Sequence, residues 1–589
     1  MASGSRGGNL LLALPLESGP NRGTVRNPWE SSALESFTAP GDHDLYSVWV
    51  ILLRVLRLKA DLVLSGGKII TVDEGETIAE AVAVKYGTII AVGRDKEIDP
   101  YVGSSTKVID LKGRAVIPGL MDSHSHMADE GAGRIRLVNL SQEAGVRNIK
   151  DIQDRLGERA KKTPKGGWVF GYQEDDSKLA EKRHPTRWEL DVASKDHPIS
   201  VSTVGGHFAI LNSKAYEMAG VTRETPDPVG GRYDRDAKGE ITGGAHEKAL
   251  NVLIPREAEE PTAEQSYEGA KAILKDCASV GLTCVYDLVD RPQIRALIDL
   301  NTRGELPIRM RMDATIDLFP QLNATGVHQM FGDDMLRLCG LKFFFDGAIS
   351  ARTAAVTEPY CDKPGFYGIM STTREIAEDL LGRAYAAGYR VSCHANGDRA
   401  IAMYLDIMEK LQAEYPREDP RNRDIHCTVI TSELVAKIKR LGILPTIFGP
   451  YPYYHGDKLL VPFGEERLER MFAARTFLDE GIKLAAHSDH PCAPFPPLMA
   501  IHALVNRTTK AGKPIGRSQR ITVMEALRLY TVNSAYQSFD EDRLGSIEVG
   551  KLADFVILGS DILTVPTAEI KDITVDATIV DGKIVYERK

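Results

Sequence analysis

The sequence predicts an α/β fold: a (β/α)8 TIM barrel with a small flanking β-sandwich formed by both chain ends and an insertion after strand 1. The barrel is indicated by eight short apolar runs between Val116 and Ser488, several of them separated by helical segments such as residues 373–388 and 432–442. Apolar strands that alternate with helices are typical of a parallel sheet covered on both faces. Eight such units close into a barrel, whose chemistry lies at the carboxyl ends of its strands.

Each predicted strand is a short apolar run, and several of these runs end in polar residues of functional type. In chain order the runs are AVIPGLMDSH (115–124), GLTCVYDL (281–288), IRMRMDAT (308–315), LCGLKFFFDG (338–347), YRVSCHANGD (389–398), IHCTVI (425–430), GILPTIFGP (442–450) and IKLAAHSDH (482–490).

One connection is much longer than a βα unit requires. Roughly 150 residues separate His126 from Gly281, whereas such connections usually need a few tens of residues at most. We therefore predict an insertion subdomain at about residues 140–260, within a barrel that extends over 115–542.

The two ends of the chain have a different texture. Residues 58–114 and 543–589 alternate apolar with polar positions and turn at glycines, as antiparallel strands do. We expect these two segments to form one composite β-sandwich domain. Residues 1–45, rich in Gly, Ser and Pro, are predicted to be a disordered extension.

Composition excludes several classes of function. A net charge of −9 provides no basic surface for nucleic acid. The apolar run from Val48 to Leu53 is interrupted by Arg54 and Arg57, and it is far shorter than the ~20 residues that cross a bilayer. The seven cysteines include no CxxC pair, which indicates reduced thiols and a cytoplasmic protein.

Potential metal ligands cluster at the predicted strand ends. His124 and His126 are two residues apart, so a strand would direct both imidazoles to one face, where they can chelate an ion. The other candidates are Lys342 in strand four, His394 at the end of strand five, His426 at the start of strand six and Asp489 at the end of strand eight. Because the carboxyl ends of barrel strands share one face, these groups predict a single site.

These motifs resemble a known family. The segments PGLMDSHSH, LKFFFDG, CHANGD, IHCTVI, HSDHP and GSIEVGKLADFVIL are similar to those of the amidohydrolase superfamily of metal-dependent hydrolases. The segments GHFAILNSKAYEMAG and DGAISARTAA are similar to those of its long-chain YtcJ-like branch, which includes N-substituted formamide deformylase. The resemblance extends from about Ala60 to the C-terminus.

The resemblance implies a role for each ligand. His124 and His126 would bind the more buried metal ion, His394 and His426 the more exposed one, and a carbamylated Lys342 would bridge both. Asp489 would contact the first ion and the attacking water, and Asp489 and Lys342 are thus the expected catalytic residues. The nitrogen and oxygen donors fit one or two divalent ions, zinc best, with manganese, iron and nickel as alternatives.

The implied reaction is hydrolysis of the C–N bond of an N-substituted amide or formamide by a metal-activated water, which releases a carboxylic acid and an amine. The alternatives are hydrolysis of a cyclic imide, carbamate or ester at the same site, and a scaffold without catalysis. The expected partner is a small amide-type substrate, not nucleic acid or a membrane. A homodimer is one oligomeric state that the sequence allows.

Substrate contacts are predicted from the loops at the barrel mouth and from the insertion. The candidates are His207, Phe345, Asp346, Arg352, Tyr451, Tyr453, Trp168 and Tyr172. Tyr172-Gln173 stand where the branch pattern has Trp-Asp, so formamide specificity does not transfer directly. Four histidines are assigned to structural positions: His246, His487, His490 and His502.

Overall fold

A computed structural model describes residues 59–255, 258 and 260–589 of the chain, so the predicted extension lies outside the described residues. The strands before the barrel are β1 (Leu62–Ser65), β2 (Lys68–Ile70), β3 (Ile78–Ala79), β4 (Ala81–Lys85), β5 (Thr88–Gly93), β6 (Lys107–Asp110) and β7 (Ala115–Pro118). The first barrel strand and the insertion strands are β8 (Leu120–Ser125), β9 (Val138–Asn139), β10 (Val169–Glu174), β11 (Ile199–Thr203), β12 (Phe208–Leu211), β13 (Gly231–Arg235) and β14 (Ile241–Glu247).

The remaining strands complete the barrel and the C-terminal part of the chain. They are β15 (Leu282–Val289), β16 (Arg309–Thr315), β17 (Leu336–Phe344), β18 (Val391–Ala395), β19 (Arg423–His426), β20 (Leu444–Phe448), β21 (Ala485–His487), β22 (Phe555–Leu558), β23 (Val575–Val580) and β24 (Lys583–Glu587).

The predicted barrel is confirmed. Its eight strands lie side by side in chain order, β8 then β15 to β21, and every neighbouring pair is parallel. The last strand returns to the first, where the backbone N–H of Asp489 donates to the carbonyl of His124 at 3.1 Å. The strands are buried on both faces because side chains fill the interior and helices cover the outside.

Two predicted strand boundaries are wrong. Residues 115–118 of the first predicted barrel strand form β7 of a flanking sheet, and the barrel strand itself begins at Leu120. His426 ends β19 instead of beginning the sixth strand, because the strand starts at Arg423 and the backbone turns into the left-handed region at His426 (φ 81°) and Cys427 (φ 42°). The sixth strand was misplaced for two reasons. Arg423 and Asp424 are charged although they lie inside the strand, and the residues after His426 are apolar although they lie outside it.

Helices connect the barrel strands and cover the sheets. Their bounds are Asp95–Ile98, Met127–Arg136, Ile149–Ala160, Arg187–Asp191, Ser213–Met218, Lys248–Leu253, Ala263–Ser279, Arg291–Thr302, Phe319–Ala324, Arg374–Ala386, Asp398–Glu414, Ser432–Leu441, Tyr451–Glu469, Ala474–Asp479, Pro497–Asn506, Val523–Leu529 and Val532–Gln537.

The helix Ser432–Leu441 illustrates how the local sequence sets these elements. The Thr431 side chain accepts a hydrogen bond from the backbone N–H of Leu434 and caps the first turn. Leu434, Val435 and Ile438 form the buried face, and Gly442 ends the helix at φ 63°.

The helix Met127–Arg136 matters for function because it begins immediately after His126. It crosses the helix Ala263–Ser279 at two glycines: a Cβ added to Gly131 would lie 2.3 Å from the carbonyl oxygen of Gly269. Only glycine at both positions permits this close approach. The crossing therefore fixes the helix, and with it the turn that carries His126.

Both chain ends contribute to the predicted β-sandwich. One sheet has the order β5-β4-β1-β6, and the other has the order β24-β23-β22-β7-β2-β3, which combines strands from the two ends of the chain. Apolar side chains of both sheets, among them Leu64, Val82 and Phe555, pack in a shared core. Asp554 joins this domain to the barrel through a buried bidentate ion pair with Arg309, at 2.8 and 2.9 Å.

The long insertion forms its own sheet. Strands β9 to β14 are arranged in the order β13-β14-β12-β11-β10-β9, with a separate apolar core on each of its two faces. Among the residues that the structure describes, no helix is long and apolar enough to cross a membrane.

Candidate metal centre

The predicted ligands come together at the carboxyl ends of the barrel strands. A cavity of about 330 Å³ opens there, and its walls include His126, His394, His426 and Asp489. His124 and Lys342 lie beneath it and are 1% and 0% exposed. Barrel closure thus gathers residues that are more than 350 positions apart in sequence.

The first half of the site surrounds the carboxylate of Asp489. Its Oδ1 atom lies 3.3 Å from Nε2 of both His124 and His126, and Lys342 Nζ lies 3.3 Å from the same nitrogen of His124. Asp489 Oδ1 is buried, yet it makes no hydrogen bond of normal geometry. A buried carboxylate oxygen that faces two imidazole nitrogens and has no hydrogen bond of its own fits a shared cation.

The second half is formed by His394 and His426. His426 Nε2 lies 3.1 Å from His394 Nδ1. The other nitrogen of His394, Nε2, lies 3.2 Å from the carbonyl oxygen of Gly347. In the tautomer with the proton on Nε2, this nitrogen donates a hydrogen bond to that carbonyl, and the lone pair of Nδ1 is free. The two facing nitrogens can then bind one ion between them.

Burial keeps the ligands in the forms that bind metal. It lowers the pKa of His124, His394 and His426 well below the ordinary histidine value, so all three imidazoles are neutral at pH 7. It also lowers the pKa of Lys342 to about 7, which makes a neutral amine available for carbamylation. The donor set of imidazole nitrogens, a carboxylate and an amine contains no thiolate and suits a divalent ion of borderline character.

Buried carboxylates hold the ligands in place. Asp287 accepts hydrogen bonds from the backbone N–H groups of Met127 (2.5 Å) and Ala128 (2.9 Å), directly after His126, and from the Ser125 hydroxyl (3.0 Å). Asp122 accepts from the backbone N–H of Ser488 at 3.0 Å, next to Asp489. Asp489 itself adopts φ 54°, a left-handed conformation that is strained for a non-glycine residue.

Two of the predicted substrate contacts lie on the cavity wall. Tyr172 comes from β10, and His207 precedes β12 with its ring 5.0 Å from that of His394. His207 Nδ1 lies 2.9 Å from Glu247 Oε2. Burial alone would lower the pKa of His207, but the Glu247 carboxylate outweighs it and the pKa is raised.

The structure corrects the placement of several other predicted contacts. Phe345 is fully buried in the barrel core, and Phe344 faces the cavity instead, because period-two alternation puts Phe344 on the same side as Lys342. Asp346 is also fully buried, where it accepts backbone hydrogen bonds from Ala355, Asn396 and Gly397 at 2.8–2.9 Å. It therefore organises the loops behind His394, to whose Nε2 its Oδ1 approaches within 3.6 Å.

The remaining four predicted contacts lie outside the walls of this cavity among the residues that the structure describes. Tyr451 is 4% exposed and packs against Phe448. Trp168 stacks on the ring of Phe170 at 5.3 Å. Arg352 lines a neighbouring cavity of about 300 Å³, and Tyr453 packs edge-on against the ring of Tyr454.

Sequence reasoning missed three residues at the site. Glu130, one helical turn after His126, lines the cavity, and burial raises its pKa to about 7. Asp287 could have been found from its position at the end of the second predicted strand. His487 was assigned to a structural position, yet it forms a second group of potential ligands with His426 and Asp489, whose ligand atoms all lie within 4.8 Å of one another.

Gln173 occupies a distinctive position on the wall. It lies where the pairing of β10 with β11 shifts register, between Gly171 and Glu174, and adopts φ 66°. Its side-chain amide donates to the carbonyl oxygen of Pro491 at 3.2 Å. The insertion is therefore tied to the loop that carries Asp489.

A barrel with histidines, a lysine and an aspartate at these strand ends defines the class: the chain belongs to the amidohydrolase family, whose Amidohydro_3 pattern matches residues 107–586. Putative amidohydrolase YtcJ of Bacillus subtilis (strain 168) is 30% identical, with 89% of this chain and 99% of that protein covered. N-substituted formamide deformylase of Arthrobacter pascens is 28% identical, with 90% and 98% covered. An uncharacterized metal-dependent hydrolase from Pyrococcus horikoshii OT3 superposes with a TM-score of 0.68 at 27% identity, with 86% of this chain and 99% of that chain covered.

Proposed function

We propose that this protein hydrolyses the C–N bond of an N-substituted amide or formamide and releases a carboxylic acid and an amine. The observation that carries the proposal is the convergence of Asp489 Oδ1, a buried atom without a hydrogen bond of normal geometry, with the Nε2 atoms of His124 and His126 at 3.3 Å. The relative from Arthrobacter pascens, named for N-substituted formamides, supports this substrate class.

Two metal ions, zinc best, are proposed to bind through the two halves of the site. His124, His126 and Asp489 would hold one, and His394 and His426 the other. Lys342 would be carbamylated: its neutral amine would add to carbon dioxide and release one proton to water, and the resulting carbamate would offer oxygen ligands to the ions. When bound, such ions lower the pKa of a coordinated water toward neutrality and polarise the substrate carbonyl.

The protein's own residues then move the protons. Asp489 accepts a proton from the attacking water and returns it to the leaving nitrogen, which departs as a neutral amine. His207, held by Glu247 and bearing a raised pKa, donates a hydrogen bond to the substrate oxygen as negative charge develops there. Water and amide are consumed, and acid and amine are produced.

The cavity walls favour a substrate of modest size with an apolar or aromatic group. A volume of about 330 Å³ holds a small molecule, and Phe344 and Tyr172 supply aromatic surface. The amide of Gln173 adds a neutral polar group where the branch pattern has a carboxylate. Because of this difference, the second candidate function is hydrolysis of a cyclic imide, carbamate or ester at the same centre.

We also propose that the protein works in the cytoplasm. All seven cysteines are free, and five of them are buried. Reduced thiols of this kind are typical of a reducing compartment. A homodimer stays a prediction, which light scattering on the purified protein would test.

The test combines metal content with a substrate panel. Elemental analysis of the wild-type protein should find about two ions per chain, and Lys342→Ala should lower that number. Lys410→Ala, an exposed lysine on a barrel helix, is the matched control and should leave it unchanged.

N-benzylformamide, N-benzylacetamide, a benzyl carbamate, a benzyl ester and a cyclic imide would then be compared by their own products: acid and amine from the amides, alcohol, carbon dioxide and amine from the carbamate, acid and alcohol from the ester, and the ring-opened acid amide from the imide. Turnover of the two amides alone supports the proposal, and turnover of another member alone supports the second candidate. Absence of metal in wild-type protein expressed with added metal would refute both and favour a scaffold.

A further inference from the structure

His487 is the last residue of β21, the final barrel strand, and its side chain is fully buried. Its ligand atom and that of Asp489, two positions later, lie within 4.8 Å of each other. The imidazole ring lies 5.0 Å from that of His426, 5.5 Å from that of His124 and 4.6 Å from that of Phe448. It thus lies beside the ligands, not among the helices.

The hydrogen bonding of His487 is unusual. Of the histidines that the structure describes, it is the one with both ring nitrogens buried and without a hydrogen bond of normal geometry. The other histidines assigned to structural positions all have protein partners: His246 contacts Asp234, and His490 and His502 face backbone carbonyls. Leaving a buried polar atom without a partner costs about 1–3 kcal/mol, so two such atoms require an explanation.

A metal ion would account for one of these two nitrogens. A neutral imidazole presents one lone pair, and an ion accepts it without any hydrogen-bond donor. The ligand atoms of His487, His426 and Asp489 all lie within 4.8 Å of one another, a spacing that permits all three to contact one ion. Phe448 excludes water from one side of the ring, which leaves the ligand cluster as its polar neighbourhood.

We propose that His487 is a further nitrogen ligand of the metal centre and binds the ion that His426 and Asp489 contact. The inference rests on the proposed metal-dependent function and adds a ligand to it. Because Asp489 belongs to both groups of potential ligands, its carboxylate would link the ion at His124 and His126 to the ion at His426 and His487. The competing explanation is a core histidine that interacts weakly with the Thr446 backbone.

The test measures metal binding directly on the full-length protein. Apoprotein is titrated with Co²⁺, and the dissociation constants and the visible absorption are recorded together with zinc content by elemental analysis. His487→Phe removes the donor and keeps an aromatic ring in the core. The matched control is His502→Gln, which alters another histidine assigned to a structural position, on the helix Pro497–Asn506, outside the ligand groups.

We expect His487→Phe to lose one ion or to bind it at least tenfold more weakly, with an altered Co²⁺ spectrum, while His502→Gln matches the wild type. His487→Cys provides a gain of signal: a coordinating thiolate would restore binding and add a sulfur-to-cobalt charge-transfer band. If His487→Phe does not fold, His487→Asn replaces it in the same titration.

Two results separate this inference from the proposed function. Wild-type stoichiometry, affinity and spectrum in His487→Phe or His487→Asn, together with no charge-transfer band in His487→Cys, would overturn the role of His487 and leave the hydrolase proposal standing. Absence of metal from the wild-type protein would overturn both.

Discussion

Lys342 is expected to destabilise the fold of the apoprotein and to strengthen the binding of metal. Its side chain is fully buried in β17, its Nζ atom lies 3.3 Å from His124 Nε2, and burial lowers its pKa from 10.5 to about 7. Without metal and carbon dioxide, burial of this lysine lowers the free energy of unfolding, because its ammonium group loses water. Lys342→Met, which keeps the chain length and removes the charge, should therefore stabilise the apoprotein.

The size of this effect follows from the pKa difference. At about 1.4 kcal/mol per pKa unit, the drop from 10.5 to about 7 corresponds to about 5 kcal/mol of cost for folding with a protonated lysine. The variant should recover that amount below pH 7. At pH 8 the neutral amine is already favoured in the folded state, and the expected gain falls to about 3 kcal/mol.

The sign of the pH dependence can be stated explicitly. Between pH 7 and 10.5 the unfolded chain holds a proton on Lys342 that the folded chain lacks. The free energy of unfolding of the wild-type apoprotein should therefore rise with pH by about 1.4 kcal/mol per unit relative to the variant. The advantage of Lys342→Met is complete below pH 7 and disappears as the pH approaches 10.5.

The assay is urea unfolding of chelator-treated protein in buffers free of carbon dioxide, at pH 6.5, 8 and 9.5. Lys410→Met, an exposed lysine, controls for the general effect of this substitution. Added zinc should reverse the order, because only the wild type gains the stabilisation from bound metal. An apo variant less stable than wild type at every pH, or a difference that does not change with pH, would refute the reasoning.

Three further predictions concern the supports of the site. Asp287→Ala should weaken metal binding about 10–100-fold, because the turn after His126 loses its acceptor; Co²⁺ titration measures this, and unchanged affinity would contradict it. Asp554→Ala should lower the free energy of unfolding in urea by about 3–5 kcal/mol, because the buried guanidinium of Arg309 loses its partner. A decrease of less than about 1 kcal/mol would contradict this prediction. Gly131→Ala should lower the melting temperature through its clash with Gly269, whereas Gly382→Ala, with 3.8 Å to its nearest neighbour, should not.

Much of the fold was predictable because the barrel repeats one physical pattern. Apolar runs that end in polar residues indicated all eight strands, and the shared face of their carboxyl ends predicted that His124, Lys342 and Asp489 lie together. The texture of the chain ends likewise predicted the sandwich. These features depend on periodicity and on topology, which sequence records directly.

Other features depend on local geometry that the sequence does not record. The face assigned to Phe345 was wrong because a shift of one residue reverses every side chain in a strand. Asp346 was predicted at the mouth, yet three backbone N–H groups in its loops require an acceptor. His487 was assigned to a structural position because its relation to His426 exists only after the barrel closes.

The construction of the cavity separates the requirements for chemistry from those for substrate choice. The candidate ligands lie on the barrel strands or directly after them, where strand pairing and the backbone hydrogen bonds that Asp287 accepts hold them in place. Tyr172, Gln173 and His207 come instead from the insertion, which has its own apolar cores and contacts the ligand loop through the bond from Gln173 to Pro491. Substitutions in these wall residues can therefore alter the substrate while the metal ligands stay fixed. Gln173, held at φ 66° in a register shift and bonded to the loop that carries Asp489, is the wall residue where a substitution tests this separation most directly.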